Sequence, residues 1–511
     1  MEECLALTLA ILTIFVASRV RKFYAGLKAV SGLPGPRVPF WPIGLPGAVI
    51  PTTWWNPGLG YHWVKRLKLY KHFGSEVIAI VPFLIGPPGI YVSNVDVARQ
   101  ILGGGQSALA FNKMRSSKSV LGLWGSSLLY SDGDVWRKHR RVVGPAFHNT
   151  LYTEVWIRTA QAYHEMVAAE GWGEGDIVEI PIAQTITMKL TMLIIGQCVF
   201  GFPFTWISPA RLSDGSMSIQ ECISLIADRI FALRILPKWA QKLPFRALQD
   251  IYHARDELTR FMNEQVAERK AALSGFSEGS KELRKDAFSM LVAANEAESE
   301  KRKLTDDEVV GNVFAMLFAG HETTGYALAA TLGCVSLHQD IQDGVIQQIE
   351  EVVGYNRDPT IDDYPKLTKV ASIFLEAVRL FPVGHIVHHG GKTVAIRQGT
   401  KVIIDMVGLQ YNPRYFDEPE KFKPTRWEGI SGDSEAFTAF SFGPRTCIGR
   451  KFAMVEAVCW LTMVLRDWRV EPMLRPGETE EMWRQRVLDA RVGMTLNVFD
   501  VPVRLVRRRS K

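Results

Sequence analysis

Cys447 stands in the run Phe-Ser-Phe-Gly-Pro-Arg-Thr-Cys-Ile-Gly, residues 440–449. Gly443 and Pro444 force a tight turn. Arg445 lies two residues before the thiol and can reach the same bound group. Gly449 gives backbone clearance before RKFAMVEAVCWLTMVLRDW, an amphipathic stretch that reads as a helix. A thiolate just ahead of a helix N-terminus is stabilised by the helix dipole and the free N–H groups. A lone cysteine is ordinarily a small core residue. One held in a Gly-Pro-Arg turn at a helix start needs an electrophile or a metal. With no other Cys or His nearby in sequence, a preformed cofactor fits better than zinc.

A second candidate lies inside a long apolar stretch, residues 305–337. Its middle reads Ala319-Gly320-His321-Glu322-Thr323-Thr324. Thr305 and Glu308 have capping-box spacing, and acids in the first turn suit the helix dipole. Glycine inside a helix costs about 1 kcal/mol relative to alanine, and buried Glu and Thr need partners. Small residues let something bulky lie against the backbone. Threonine hydroxyls can bond back to carbonyls and bend the helix. An acid beside an alcohol can pass protons from solvent to a buried reactant. A kink satisfied by ordered water is the alternative.

These residues need a large scaffold, and the chain supplies one. It has 511 residues, 47% hydrophobic and 22% charged, with 14 Trp and 26 Phe; that excludes a disordered or collagen-like polymer. Six cysteines without a CxxC pair argue against a disulfide scaffold or a Cys-rich zinc site. The net charge of +7 is spread along the chain without a long basic tract, so nucleic acid is not an expected partner. Helical patterns dominate: 134–147, 151–170, 183–200, 246–273, 305–337, 338–353, 366–380 and 449–467. Strand-like runs are short: 77–81, 89–93, 393–397, 401–404 and 494–505. The expectation is a mainly α protein with minor β sheets, in which the polar stretch 274–307 is a surface excursion.

Residues 5–17, LALTLAILTIFVA, are almost wholly apolar, and Arg19, Arg21 and Lys22 follow. A cleavable signal would carry its positive charge before the apolar run. Basic residues on the C-terminal flank keep that side cytosolic. The run is short against the roughly 20 residues a bilayer needs, and a buried N-terminal helix is the alternative. The expected organisation is an N-terminal membrane anchor over 1–22, a Pro/Gly-rich hinge over 23–62, and one catalytic domain over 63–511.

FSFGPRTCIG resembles the haem-binding signature of the cytochrome P450 superfamily, FxxGxRxCxG, matching at Phe440, Gly443, Arg445, Cys447 and Gly449. AGHETT resembles the oxygen-activation motif of that family's long central helix. Glu376-Ala-Val-Arg379 followed by LFP looks like its ExxR helix, and Phe422-Lys-Pro-Thr-Arg426-Trp427 like the segment that adds a second arginine. Thr425 departs from the acid many members carry there. Trp136-Arg-Lys-His-Arg140 looks like the helix that holds a haem propionate. The motifs occur in the family's order over residues 136–449. The anchor, hinge and C-terminal sheet extend the likeness to most of the chain, in a microsomal, fungal-like style.

The resemblance implies the cytochrome P450 fold and haem b (iron protoporphyrin IX), with Cys447 as the metal ligand. It implies that Thr323 and Glu322 support proton delivery, and that Trp136, Arg140 and Arg445 neutralise the propionates. His388 and His389 stand where members often place a further propionate ligand, and His389 is assigned to it. Phe440, Gly443 and Gly449 shape the loop. Glu376, Arg379 and Arg426 form a structural ion network. The implied reaction inserts one oxygen atom from O2 into a lipophilic substrate: a terpenoid, sterol or polycyclic aromatic. Electrons come from NADPH through NADPH–cytochrome P450 reductase, with cytochrome b5 as a second candidate donor. Arg137, Lys138, Arg141, Arg450 and Lys451 are candidates for an acidic docking partner. The implied location is the endoplasmic reticulum membrane, with the catalytic part cytosolic. Residues 107–125, 200–240, 312–323, 383–387 and 492–499 are the expected pocket lining, and 229–245 a candidate second membrane contact. Two rivals remain. A haem-thiolate isomerase or dehydratase, or a non-catalytic haem protein, would not need the Glu322–Thr323 pair.

Overall fold

The computed structural model describes residues 2–102, 112–113, 124–208, 211–212, 215–235, 238–274, 286–382, 386–389, 400–428, 434–492 and 495–508. The chain divides into two compact units, where the sequence was read as one domain after the hinge. The first comprises Met1–Met114, Leu375–Cys447 and Asp489–Val498. The second comprises Arg115–Phe374, Ile448–Leu488 and Phe499–Lys511.

The first unit is built on a six-stranded mixed sheet. Its strands run in the order Arg37–Phe40, Val77–Ile85, Gly89–Val92, Lys401–Ile404, Ile386–His389, Asn112–Lys113. Gly89–Val92 pairs antiparallel with Val77–Ile85 and parallel with Lys401–Ile404. Ile78, Ile80, Tyr91 and Ile403 pack on one side with Trp41 and Tyr70. Ala79, Ile90, Val92, Val402 and Ile404 pack on the other. This alternation is what a sheet covered on both faces demands. The N-terminal helix Glu2–Ala29 continues seven residues past the expected anchor boundary at 22. Its apolar stretch is uncovered by the rest of the chain, and Arg19 anchors its far half by donating to Leu84 O at 2.8 Å. Within the stretch read as a Pro/Gly-rich hinge, 23–62, Arg37–Phe40 is the edge strand of the sheet.

The second unit is helical. Its axis is the helix Asp306–Ser336, which packs along Ala183–Phe200. The expected capping box forms: Glu308 N–H donates to Thr305 Oγ1, and Thr305 N–H to Glu308 Oε2. Ala183–Phe200 is apolar enough to cross a membrane but is mostly buried, so it belongs to this core. Helices Asn149–Ala169, Arg246–Ser274, Gln339–Val352 and Arg450–Asp467 lie where periodicity placed them. A small antiparallel sheet, Ile177–Ile180, Val503–Arg507, Trp468–Pro472, completes the unit.

Three expectations change. Residues 287–296 of the supposed surface excursion form a helix: Asp286 caps it by accepting from Ser289 N–H, and Phe288, Leu291 and Val292 are buried beneath it. The run 494–505 is not one strand. Leu496–Asn497 pairs with Arg491–Val492, whereas Val503–Arg507 pairs in the small sheet of the second unit. The expected helix 134–147 ends at Val143, where Gly144-Pro145 tightens the chain into a short 3-10 turn. The expected strand 393–397 lies outside the described residues, as do 107–111, 114–123, 209–210, 213–214, 236–237, 383–385 and 493–494 of the expected pocket lining.

Candidate active site

The site's foundation in the first unit is a charged pair with no exposure to solvent. Glu376 and Arg379 are one helical turn apart and both 0% exposed. They meet in a bidentate pair at 2.9 and 2.8 Å. Arg379 also donates to the carbonyls of Gln410, Pro419 and Lys421. Glu376 further accepts from Lys423 N–H at 3.0 Å, Arg426 Nε at 3.1 Å and Trp427 Nε1 at 2.9 Å. A buried pair is tolerated only when the remaining donors and acceptors are satisfied in this way. Asp417 holds Arg426 at 2.7 Å from outside the buried pair.

That network leads to the cysteine loop through packed rings. The indole of Trp427, fixed by Glu376, meets the ring of Phe437 edge-on at 4.7 Å, and Phe437 meets Phe440 at 6.0 Å. Phe440 O accepts the N–H of Cys447 at 2.9 Å, closing the loop. Gln410 fixes its approach by donating to Ala436 O and Thr438 Oγ1. The turn contains left-handed residues at Ser441 (φ 58°) and Gly443 (φ 70°). A Cβ at Gly443 would lie 3.1 Å from Leu102 O, so glycine answers both the dihedral and the close approach. Arg445 is half-buried in the same turn, and Gly449 begins helix Arg450–Asp467 without a side-chain cap.

Cys447 is exposed, as is Cys4 on the N-terminal helix, whereas Cys198, Cys222, Cys334 and Cys459 are buried. Burial pushes the thiols of Cys198, Cys222 and Cys459 up, which keeps them inert. The loop thus presents an accessible sulfur three residues ahead of helix Arg450–Asp467, and a helix N-terminus favours a thiolate.

In the second unit the motif residues lie midway along Asp306–Ser336. Thr323 Oγ1 donates to Ala319 O at 2.7 Å, the expected back-bond, which leaves its oxygen as an acceptor. Thr191 Oγ1 donates to His321 O at 2.8 Å. The buried His321 imidazole faces Leu317 O, and burial holds it below its ordinary pKa. Gly320 does not open a clearing for a bulky reactant. A methyl there would overlap Ile195 Cδ1, so its small size serves helix–helix packing. Glu322 is half-buried, and burial, then the Asp228 carboxylate, pushes its carboxyl up to about 7. Nothing in the sequence pairs Glu322 with Asp228, which lies 94 residues earlier in the chain. Trp136 and Arg140 share one face of helix Gly133–Val143, both half-buried. His389 lies on strand Ile386–His389 opposite Lys401; its side chain is outside the described residues.

The family model for cytochrome P450 matches residues 66–493. The chain belongs to the cytochrome P450 family. It is 29% identical to cytochrome P450 monooxygenase 124 of Postia placenta, over 95% of this chain and 94% of that protein. It is 28% identical to cyclooctat-9-en-7-ol 5-monooxygenase of Streptomyces melanosporofaciens, over 78% of this chain and 84% of the relative. A zebrafish cytochrome P450 structure with abiraterone shares the fold at TM-score 0.67 and 21% identity, covering 87% of this chain and 98% of the other. The chain is therefore a haem-thiolate monooxygenase, an oxidoreductase that incorporates oxygen. The accessible Cys447 fits such a cofactor, because it offers a soft, ionisable ligand just ahead of a helix start. Among the described residues no cluster of His, Cys, Asp and Glu competes for a metal.

Replacing Glu376 by Ala leaves the buried Arg379 uncompensated and is expected to cost about 3–5 kcal/mol. Trp427→Phe, which removes one donor, is expected to cost about 1–2 kcal/mol. Urea unfolding of the two variants beside wild type checks both; equal midpoints would refute the network's role.

Proposed function

We propose that this P450 inserts oxygen into a large lipophilic substrate, a terpenoid, sterol or polycyclic aromatic. Its electrons come from NADPH through NADPH–cytochrome P450 reductase, with cytochrome b5 as a second donor. The observation that carries the assignment of roles is the accessible Cys447 sulfur at the start of helix Arg450–Asp467. In this reading Cys447 holds the iron of haem b, which supplies the redox centre for oxygen activation. Arg445, Trp136, Arg140 and His389 hold the propionates by charge and hydrogen bonds. Phe440, Gly443 and Gly449 keep the sulfur in place. Glu322 supplies protons from solvent, and Thr323 accepts and relays them through its hydroxyl. A carboxyl pushed up to about 7 exchanges protons readily at neutral pH, which supports that role.

The apolar turns Val313, Phe314, Leu317 and Phe318 that precede the motif support a lipophilic substrate. So does the relative named for cyclooctat-9-en-7-ol. Helix Glu2–Ala29 is the anchor in an endoplasmic reticulum membrane, passing through once and leaving the catalytic part cytosolic. Trp54, 93% exposed, and Leu45, 80% exposed, follow it and suit a lipid surface. In the second unit Trp239 and Phe245, also exposed, support the membrane contact read in 229–245. The exposed Arg137 and Arg141 are the proposed reductase contacts on helix Gly133–Val143.

A carbon-monoxide difference spectrum of the reduced protein should show a strongly red-shifted Soret band, lost in Cys447→Ala. Haem retained with an unaltered band in the variant would disprove the ligand. Thr323→Ala should keep the haem while NADPH consumption separates from product formation; unchanged coupling removes Thr323 from the relay. The Glu322 carboxyl is raised, so it is protonated below about 7 and loses its proton as pH rises through that value. Coupling should therefore fall across pH 6–8 in wild type and stay level in Glu322→Gln, measured as product per NADPH.

A further inference from the structure

His139 lies between Trp136 and Arg140 in sequence, yet it points into the protein and is 0% exposed. Its Nδ1 is 2.7 Å from Nδ2 of Asn312, on the second turn of helix Asp306–Ser336. The amide's orientation is settled by its other bonds. Asn312 Oδ1 accepts Leu128 N–H at 2.8 Å, and Nδ2 also donates to Glu308 O at 2.7 Å. The group facing the imidazole is therefore an N–H donor, and Nδ1 must be the acceptor. The ring proton then sits on Nε2, 3.3 Å from Ser126 Oγ and 3.6 Å from Glu308 Oε1. Glu308 also binds Lys138 at 2.7 Å. Gly311, beside Asn312, admits the segment around Trp124 to the helix: a Cβ there would lie 2.6 Å from Ser126 O. One amide and one imidazole thus join three pieces of chain.

We propose that His139 and Asn312 form a latch that sets the rotation of helix Gly133–Val143, and so the aim of Trp136 and Arg140 at the haem propionates. This rests on the reading of those two residues given above. His139 is a positioning residue: it acts through its helix. Successive helical residues are about 100° apart, so a helix released at His139 turns the Trp136–Arg140 face with it.

The latch needs a neutral ring. A proton on Nδ1 would set N–H against N–H. Burial holds the His139 pKa below its ordinary value, while Glu308 and the contact with Asn312 pull it up and Lys138 pushes it down. Helix Ala287–Glu296 also packs on Gly133–Val143, and among the described residues it contributes no titratable group acting on the ring. With the folded value depressed, the latch is complete above the unfolded value of about 6.5 and is lost as pH falls towards the lower folded value.

The test is haem transfer from the holoprotein to excess apomyoglobin, followed in the Soret region at pH 7.5 and 5.5. His139→Asn keeps an acceptor for Asn312 but cannot titrate, so it cancels the acid sensitivity of the rest of the site. At pH 7.5 its transfer rate should lie within about twofold of wild type. At pH 5.5 wild type should release haem about tenfold faster than His139→Asn. Asn312→Leu should release haem about tenfold faster than wild type at pH 7.5. Arg140→Gln, which tests the propionate reading directly, should be faster at both pH values. If Arg140→Gln is fast but His139→Asn follows wild type at both pH values, the latch is overturned and the propionate reading stands. If Arg140→Gln matches wild type, the propionate reading fails, and the latch loses its effect on haem with it. The wild-type pH comparison with His139→Asn keeps the test open should Asn312→Leu not fold.

Discussion

The buried contact between Glu376 and Arg379 organises the part of the first unit that leads to the cysteine loop. Two charges taken out of water are tolerable only if nearly every lone pair and N–H finds a partner. Satisfying them pulls in the carbonyls of Gln410, Pro419 and Lys421, the N–H of Lys423, and the side chains of Arg426 and Trp427. Those partners come from a stretch with little regular structure, which has no ladder of its own to define it. The pair supplies the definition. Trp427, Phe437 and Phe440 then carry that order by ring contact to the backbone bond that closes on Cys447. The loop around Cys447 is thus tied, through rings and one backbone bond, to a charge pair out of contact with solvent.

The long helix of the second unit meets the opposite demand. It must be apolar to cross a core, yet carry Glu322, Thr323 and Thr324 in its middle. Thr323 settles part of that conflict by bonding to the turn below, and Thr191 from the neighbouring helix caps the carbonyl of His321. Glu322 is left near the neutral range by burial and Asp228. Thr323 is thus satisfied within its own helix, and the carboxyl of Glu322 is held well above its ordinary range.

Two kinds of small residue look alike in such a sequence and do different things. Gly443 takes a left-handed dihedral that a side chain resists. Gly320 takes an ordinary helical one and is small because Ile195 lies against it. Motif spacing cannot separate them, since the second depends on what another helix brings to the place. The same holds for His139. In sequence it belongs to a basic run; in the fold its ring is buried, facing Asn312 and the Glu308 that also binds Lys138.

What the sequence determined by itself was local or periodic. Apolar spacing is set by the 3.6-residue turn, so most of the long helices were legible, as was the capping box at Thr305. The turn chemistry of Gly443-Pro444 and the isolation of Cys447 were also visible, because a dihedral preference and a missing neighbour are properties of adjacent residues. The Glu376–Arg379 pair was legible for the same reason, being one helical turn apart. Tertiary structure decided the rest. It supplied Asp417 and Trp427 as partners of the ion network and Asp228 as the neighbour of Glu322. It buried one face of residues 287–296, whose sequence is too polar around it to announce a helix, and split the C-terminal run between two sheets. Except for Asp417 beside Arg426 and the short pairing of Leu496–Asn497 with Arg491–Val492, the deciding contacts join residues far apart in the chain, and burial and pairing energies belong to neighbours in space, which one-dimensional order does not record.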